Sequence, residues 1–266
     1  GCKNVKFLSI VGNDDNSVFT KEKLKEYAVK GDLYIDESRP TTLKQRFRVG
    51  NKTLLRVSHL RQHKIGKELQ KSIYKQFIKI IDELDLLVFA DFNYGVLPKD
   101  LVNIITKECN KRNVKIVADS QSSSQIGDLS RFKNTEFLTP TERELRTATA
   151  NYEDSLVVVA NKLIKTSNAK NIAVTLGPEG ILILTDVKDK QAKIVDRLPA
   201  LNNSPKDIAG AGDCLLICSA MSLVVGGSIW ESVYLGSLAA ACQVGRTGNM
   251  PLTCEEILLE LKDQFK

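Results

Sequence analysis

Short apolar runs alternate along this chain with longer segments in which apolar and polar residues recur at helical spacing. Four short runs bounded by polar turns are typical of buried strands, and they cover residues 5–11, 84–90, 114–118 and 171–175. Helical patterns cover residues 21–29, 60–81, 98–111, 215–225, 230–244 and 254–262. Because strands that alternate with helices form parallel sheets, the pattern predicts a mainly parallel sheet covered on both faces.

Two predicted hairpins interrupt this alternation. Gly50-Asn51 separates two extended runs in a β-rich insert at residues 32–57, and glycine supplies the positive φ of a two-residue turn. The segment from Leu176 to Gly180 separates the strand at 171–175 from a return strand at 181–184. We therefore expect one domain over residues 1–266, with a small β lid at residues 32–58.

Composition is that of an ordinary globular protein with a sizeable core, since 42% of the 266 residues are hydrophobic and 26% are charged. The net charge of +6 is mild and spread along the chain, which argues against a nucleic-acid partner and fits phosphorylated small molecules. The longest apolar run, residues 215–225, is too short to span a bilayer. With no visible signal peptide, these features predict a cytoplasmic protein without a membrane partner.

The cysteines and histidines show no metal-binding pattern. The six cysteines lie far apart and mostly in apolar helical stretches, which predicts buried reduced thiols and favours a reducing compartment. His59 and His63 lie four residues apart without a third ligand near them in sequence, so we predict no metal site there.

Most of the candidate chemistry lies in the stretch Asp207-Ile208-Ala209-Gly210-Ala211-Gly212-Asp213, which runs directly into an apolar helical segment. Its glycines allow backbone N–H groups to approach an anion, and a helix N-terminus adds partial positive charge. A carboxylate beside such a nest suits phosphoryl transfer, because it can take or orient the proton of an attacking hydroxyl. An ordinary glycine-rich helix start with aspartate as a capping residue explains the same residues.

This stretch resembles the GAGD signature of the ribokinase-like (PfkB) carbohydrate kinases, and the resemblance runs from about residue 4 to residue 252. It implies a three-layer ribokinase-like α/β sandwich with its site between the β lid and the sheet edge. It also implies that Asp213 is the catalytic base, that Gly210, Ala211 and Gly212 form the anion hole, and that ATP and Mg²⁺ are used. The branch it resembles most phosphorylates heptose 7-phosphate at C1, which implies a possible homodimer through the lid and a possible fused nucleotidyltransferase domain.

Two further motifs resemble the nucleotide and metal motifs of the family. The residues implied to bind the cofactor are Thr175, Gly177, Gly180 and Asp207, although a glycine-containing hairpin explains the turn equally. Glu144 resembles the glutamate of the Pro-Asn-x-x-Glu motif, which helps hold Mg²⁺ through water, but Thr141 stands where the asparagine should be. A capping box between Thr141 and Glu144 explains these residues as well, and both roles can hold at once.

The predicted acceptor site rests on a basic strand. Thr42, Lys44, Arg46 and Arg48 alternate along one arm of the hairpin and would share one face, with Arg39 and Arg56 flanking it. Such a face can receive a substrate phosphate, or it can simply face solvent. Residues 38–44 and 54–57 resemble the heptose-phosphate kinase lid. The substrate-binding residues implied are Asp14, Lys44, Arg46, Arg56 and Asp91.

Several positions depart from the family pattern. Asp14 fits the Gly-x-Asp turn, which a plain strand-ending turn also explains, but Tyr94 replaces a lysine after Asp91, and Ser58-His59 replaces an acidic residue. The Gly-Gly-x-x-x-Asn segment that grips sugar hydroxyls would lie before Gly1, so the chain is expected to be a fragment or to lack that part. We expect an ATP- and Mg²⁺-dependent kinase for a sugar phosphate. The alternatives are a kinase for a neutral sugar or nucleoside, and a nucleotide-binding module that does not turn over.

Overall fold

A computed structural model describes residues 2–50, 52–121, 127–186 and 193–264. The chain divides into two compact units. The first comprises Gly1–Asp82 and Asn93–Ile105, and the second comprises Glu83–Phe92 and Thr106–Lys266. Among the described residues, no helix combines the length and the apolar character needed to cross a membrane.

The first unit contains two small sheets and the helices beside them. Its elements are β1 (Lys6–Val11), α1 (Asp15–Glu26), β2 (Lys30–Ile35), β3 (Leu43–Val49), β4 (Lys52–His59) and α2 (Lys67–Ile80), and α3 (Lys99–Arg112) runs from it into the second unit. β1 and β2 pair in parallel, so β2 does not belong to the hairpin of the predicted insert. β3 and β4 pair antiparallel as predicted, while Asn51 of the predicted turn lies outside the described residues.

Two helices of the first unit begin at residues other than those predicted. α1 begins at Asp15 rather than at residue 21, because the Asp14 carboxylate accepts a hydrogen bond from the Ser17 N–H and caps the helix there. α2 begins at Lys67 rather than at residue 60. The preceding segment is held in a loop, since Ile65 is buried and its N–H donates to the Gly95 carbonyl.

The second unit is built on a six-stranded sheet of order β10-β9-β8-β7-β6-β5. Its strands are β5 (Leu86–Asp91), β6 (Lys115–Ser120), β7 (Phe137–Leu138), β8 (Asn171–Thr175), β9 (Ile181–Asp186) and β10 (Lys193–Leu198). β5 to β8 pair in parallel, and β9 and β10 join antiparallel. The predicted α/β class with a mainly parallel sheet is confirmed.

Helices cover both faces of this sheet. They are α4 (Glu142–Thr149), α5 (Leu156–Ser167), α6 (Ala211–Val224), α7 (Ile229–Val244) and α8 (Cys254–Asp263). One core cluster joins Val117 and Phe137 of the sheet to Leu216 of α6 and Val233 of α7. α5 buries Leu163 and contacts β8 and β9. The sequence pattern does not predict α5, whose valine run favours a strand, or β10, which depends on pairing with β9.

Candidate active site

The glycine-rich stretch forms the N-terminus of α6. Gly210 is the N-cap residue with φ of 82°, and no side chain caps the helix, so Asp213 is not the capping residue. This positive φ would strain any residue with a side chain, so the position favours glycine, and a Cβ there would also meet the end of the Asn249 side chain. The N–H groups of Gly212 and Asp213 lie in the first helical turn, where the helix itself offers them no acceptor. Residues 210–212 together with the Asp213 N–H form what we call the anion nest, an arrangement of N–H groups suited to an anion.

Asp213 carries the carboxylate nearest to this nest, as the third residue of α6. Part of its side chain is exposed to solvent, while burial of the carboxyl by the surrounding chain raises the pKa of Asp213 above its ordinary value. A raised pKa makes the carboxylate a better proton acceptor than a free aspartate. Its role as the catalytic base remains a prediction.

Asp119 is a further acid of this site that the sequence did not single out. It lies near the carboxyl end of β6, and burial, followed by the negative charges of Glu144 and Asp213, raises its pKa to about 7. Asp91, at the carboxyl end of β5, adds a smaller effect. The sequence does contain a signal for Asp119, because this residue directly follows the apolar run at residues 114–118. Functional groups of α/β sheets gather at the carboxyl ends of strands.

Glu144 forms the predicted capping box at the start of α4. Its Oε2 accepts from the Thr141 N–H at 3.0 Å, and its own N–H donates to Thr141 Oγ1 at 3.2 Å. The same carboxylate acts electrostatically on Asp119. Within the described part of the chain, no three side chains of the His, Cys, Asp and Glu types converge to hold a metal ion. A cation here would therefore depend on water and on ligand oxygens.

The turn assigned to the nucleotide lies beside this capping box. Thr175 forms a parallel bridge with Thr141, and its N–H donates to the Pro140 carbonyl at 2.9 Å. Gly177 and Gly180 adopt positive φ values of 60° and 89°. A Cβ at Gly180 would overlap the Leu198 carbonyl oxygen, so this turn requires glycine. The structure thus brings the predicted nucleotide and metal motifs together.

Asp207 and Asp91 have protein partners of their own. The Asp207 carboxylate accepts from the N–H groups of Ala209 and Gly248, each at 3.1 Å. Asp91 is buried and forms an ion pair with Arg131, an arginine that the sequence did not mark. Their contacts with nucleotide and acceptor remain predictions.

In the first unit, Asp14 is both a helix cap and a loop anchor. One of its oxygens accepts from the Ser17 N–H at 3.0 Å, and the other accepts from the Thr41 N–H at 2.8 Å. The hydrogen bonds, with Thr41 first, lower the pKa of Asp14 below its ordinary value. The strand-ending turn therefore accounts for this residue, and its contact with a sugar remains a prediction.

The basic face of the hairpin is narrower than the sequence suggests. Lys44 and Arg46 lie on β3, whereas Thr42 precedes the strand. Arg39, predicted to flank this face, is turned away from solvent and bound within the protein. Its side chain is only 5% exposed, its Nε donates to Asp36 at 2.7 Å, and its terminal nitrogens donate to the backbone carbonyls of His63 and Tyr94.

The cations predicted to bind the substrate, Lys44, Arg46 and Arg56, lie on the two strands of the hairpin. Arg46 pairs directly with Arg56 across the two strands. Among the described residues, neither arginine forms an ion pair with a carboxylate. The Lys44 ammonium lies 5.1 Å from the centroid of the Tyr94 ring, so an aromatic face holds this cation.

Comparison with known proteins decides the family, because the model of the pfkB family carbohydrate kinases matches residues 1–254. The chain belongs to this family. This PfkB family member is 30% identical over 257 residues to "Bifunctional protein HldE" of Sulfurimonas denitrificans, a match that covers 95% of the chain and 52% of the relative. It is 28% identical over 260 residues to the protein of the same name from Helicobacter hepaticus, with 96% and 52% covered. The chain thus spans about half the length of the curated relatives it matches.

Solved structures confirm the ribokinase-like fold of this PfkB family member. Phosphofructokinase-2 from Escherichia coli superposes with a TM-score of 0.78 at 15% identity, over 99% of this chain and 83% of that one. Ribokinase from Giardia lamblia gives a TM-score of 0.77 at 17% identity, with 97% and 82% covered.

Proposed function

We propose that this chain is an ATP-dependent kinase for a sugar phosphate that resembles heptose 7-phosphate, with an anomeric phosphate as product. The observation that carries the proposal is the position of Asp213 in the first turn of α6, beside the nest at residues 210–212. Membership of a carbohydrate kinase family supports phosphoryl transfer from a nucleotide to a sugar hydroxyl.

In the proposed reaction, the acceptor hydroxyl oxygen forms a bond to the γ-phosphorus of ATP. The bond between that phosphorus and the β,γ-bridging oxygen breaks, and ADP leaves with the electron pair. The hydroxyl proton passes to the Asp213 carboxylate, for which a raised pKa is favourable. The N–H groups of the nest and the α6 dipole stabilise the negative charge on the transferred group.

The nucleotide is assigned to the turn at Thr175, Gly177 and Gly180 and to the loop held by Asp207. Backbone N–H groups in a glycine turn with positive φ can approach phosphate oxygens closely. Thr175 pairs with Thr141, which caps the same helix as Glu144. Glu144, Asp119 and Asp213 form an acidic cluster, so this pairing supports placing the phosphates and the metal side by side in this unit.

The acidic cluster fits Mg²⁺. Burial first, and then the negative charges of Glu144 and Asp213, raise the pKa of Asp119, and a divalent cation would relieve the repulsion between these carboxylates. Mg²⁺ usually binds one or two carboxylates together with phosphate oxygens and waters, and Glu144 and Asp119 would supply the carboxylates. When bound, the ion would neutralise phosphate charge.

The acceptor's phosphate is assigned to Lys44, Arg46 and Arg56 of the hairpin. Like charges directly opposite each other destabilise a strand pair, and a bound anion would remove that cost. Asp14 and Asp91 are kept as substrate-binding residues in the proposal.

We further propose that the protein is cytoplasmic and forms a homodimer through the hairpin. Phe47 and Leu55 pair with each other next to the arginine pair, so they lie on the opposite face, where they are 52% and 55% exposed. A fused nucleotidyltransferase domain is proposed as well, since the matched relatives carry the word bifunctional in their names and are about twice as long as this chain.

ADP release with a panel of acceptors tests the proposed function. The panel contains a heptose 7-phosphate, the unphosphorylated heptose and a nucleoside, each supplied with ATP and Mg²⁺. Turnover that requires the sugar phosphate supports the proposal. Equal turnover with the neutral sugar or the nucleoside favours that alternative kinase, and nucleotide binding without ADP release from any acceptor favours a module that does not turn over.

A further inference from the structure

The loop that carries the anion nest is tied to residues 245–250 by a set of paired hydrogen bonds. The two oxygens of Asp207 accept from the N–H groups of Ala209 and Gly248, each at 3.1 Å. The side-chain amide of Gln243 donates to the carbonyl oxygens of the same two residues, at 3.0 Å to Ala209 and 2.8 Å to Gly248. The N–H groups of Ala209 and Gly248 therefore donate to Asp207, and their carbonyl oxygens accept from Gln243. We call this set of four hydrogen bonds the frame.

The orientation of the Gln243 amide follows from its neighbours. Its Oε1 accepts from Arg246, at 3.3 Å from Nε and 3.0 Å from a terminal nitrogen. Because a guanidinium can only donate, the amide oxygen must face Arg246 and the NH₂ group must face the two carbonyls. Arg246 is itself held by Glu256 at 3.0 Å and by the Met250 carbonyl.

Gln243 is fully buried near the end of α7, with a relative exposure of 0%. Leaving a buried amide without hydrogen-bond partners costs free energy of desolvation. This cost favours the one arrangement in which both the NH₂ group and the oxygen of Gln243 have partners.

The Ala209 carbonyl belongs to the peptide group that carries the Gly210 N–H. Because a peptide bond is planar and trans, fixing the carbonyl oxygen also fixes the direction of that N–H. Gly210 has φ of 82° and is packed against Asn249. The nest therefore begins at a residue whose conformation depends both on its own loop and on residues 245–250.

We infer that Gln243 is a positioning residue for phosphoryl transfer, which acts by orienting the peptide between Ala209 and Gly210 at the start of the anion nest. The inference rests on the proposed function of that nest. In this inference the main role of Asp207 is structural, because its carboxylate accepts from the two N–H groups of the frame while the Gln243 amide donates to the two carbonyls. Nucleotide binding by Asp207 remains a separate prediction.

The test is Gln243→Met, which keeps side-chain length and removes both the NH₂ donor and the oxygen that accepts from Arg246. We expect kcat to fall on the order of tenfold to a hundredfold, because small misplacements of groups around the reacting centre have effects of that size. The KM values for ATP and acceptor should change less than about twofold. Ser237→Ala is the matched control, since Ser237 is also buried on α7 but donates only to Val233 of its own helix.

A folded Gln243→Met variant with wild-type kcat, or an equal loss in Ser237→Ala, would overturn the inference. If Gln243→Met does not fold, Asp207→Asn decides, because it disturbs the same frame from the acceptor side. A fall in kcat with unchanged KM for ATP supports positioning, whereas a rise in KM alone overturns it. Nucleotide binding by the wild-type protein without ADP release from any acceptor would instead refute the proposed function, so the two failures can be told apart.

Discussion

Arg46 and Arg56 lie directly opposite each other in the β3–β4 hairpin, so two positive charges share one cross-strand pair. Such pairs are destabilising, and among the described residues no carboxylate forms an ion pair with either guanidinium. An anion between or beside them would turn repulsion into binding energy. The hairpin therefore has the charge arrangement of a receptor for phosphate.

Arg46→Ala should weaken binding of the sugar phosphate by roughly 1.5–3 kcal/mol, the range for a hydrogen bond to a charged group. ATP affinity should be unchanged, because the nucleotide is assigned to other residues. Binding of the phosphorylated and unphosphorylated sugars to the variant is measured by calorimetry, with Arg61→Ala as a control arginine outside the hairpin. Equal losses for both sugars would contradict a phosphate role for Arg46.

Asp213→Asn should lower turnover by a factor on the order of 10² to 10⁴ and leave the fold and ATP binding intact, because the amide cannot accept the hydroxyl proton. Single-turnover rates and ATP titrations measure the two effects separately. Asp196→Asn changes an exposed aspartate of β10 and serves as the control. An unchanged turnover number in Asp213→Asn would remove this residue from the mechanism.

Glu144→Gln separates the metal role from the capping role. Glutamine can still close a capping box, so the melting temperature should change little, while the Mg²⁺ concentration for half-maximal activity should rise. Glu231→Gln is the matched control, since Glu231 forms the same box with Ser228 at the start of α7. If Glu144 only caps α4, the two variants will behave alike, with at most a stability loss of roughly 1 kcal/mol.

Asp36 should make stability depend on pH. Burial alone would raise the pKa of Asp36, but hydrogen bonds from Ser38 and Arg39 outweigh it and leave the pKa lowered. A lowered folded-state pKa means that this stability is present above the unfolded-state value, about 3.9, and is lost as the pH falls through the folded-state value.

Urea unfolding between about pH 6 and pH 2.5 measures this dependence. Asp36→Asn should flatten the acid limb, and it should cost about 3–5 kcal/mol at neutral pH because Arg39 is left buried without its carboxylate. Asp32→Asn, a change at a β2 carboxylate outside this ion pair, is the control. An unchanged acid limb in Asp36→Asn would show that other groups determine it.

The sequence alone determined those features whose causes are local. The apolar runs at β5, β6 and β8 predicted strands because a parallel strand is buried on both faces. The glycine pattern predicted the start of α6 because Gly210 needs a positive φ that other residues rarely adopt. The Thr141–Glu144 capping box was equally readable, since its two members lie within one helical turn. The family resemblance rested on these local motifs.

Tertiary structure alone decided which distant groups meet. Arg39 turns inward to Asp36 and to the His63 and Tyr94 carbonyls, and its place in sequence beside the hairpin could not reveal these partners. The pKa of Asp119 and the frame around Gln243 likewise depend on residues far away in sequence. Burial and electrostatics act through space, so charge, protonation and hydrogen-bond partners become defined only when the fold brings those residues together.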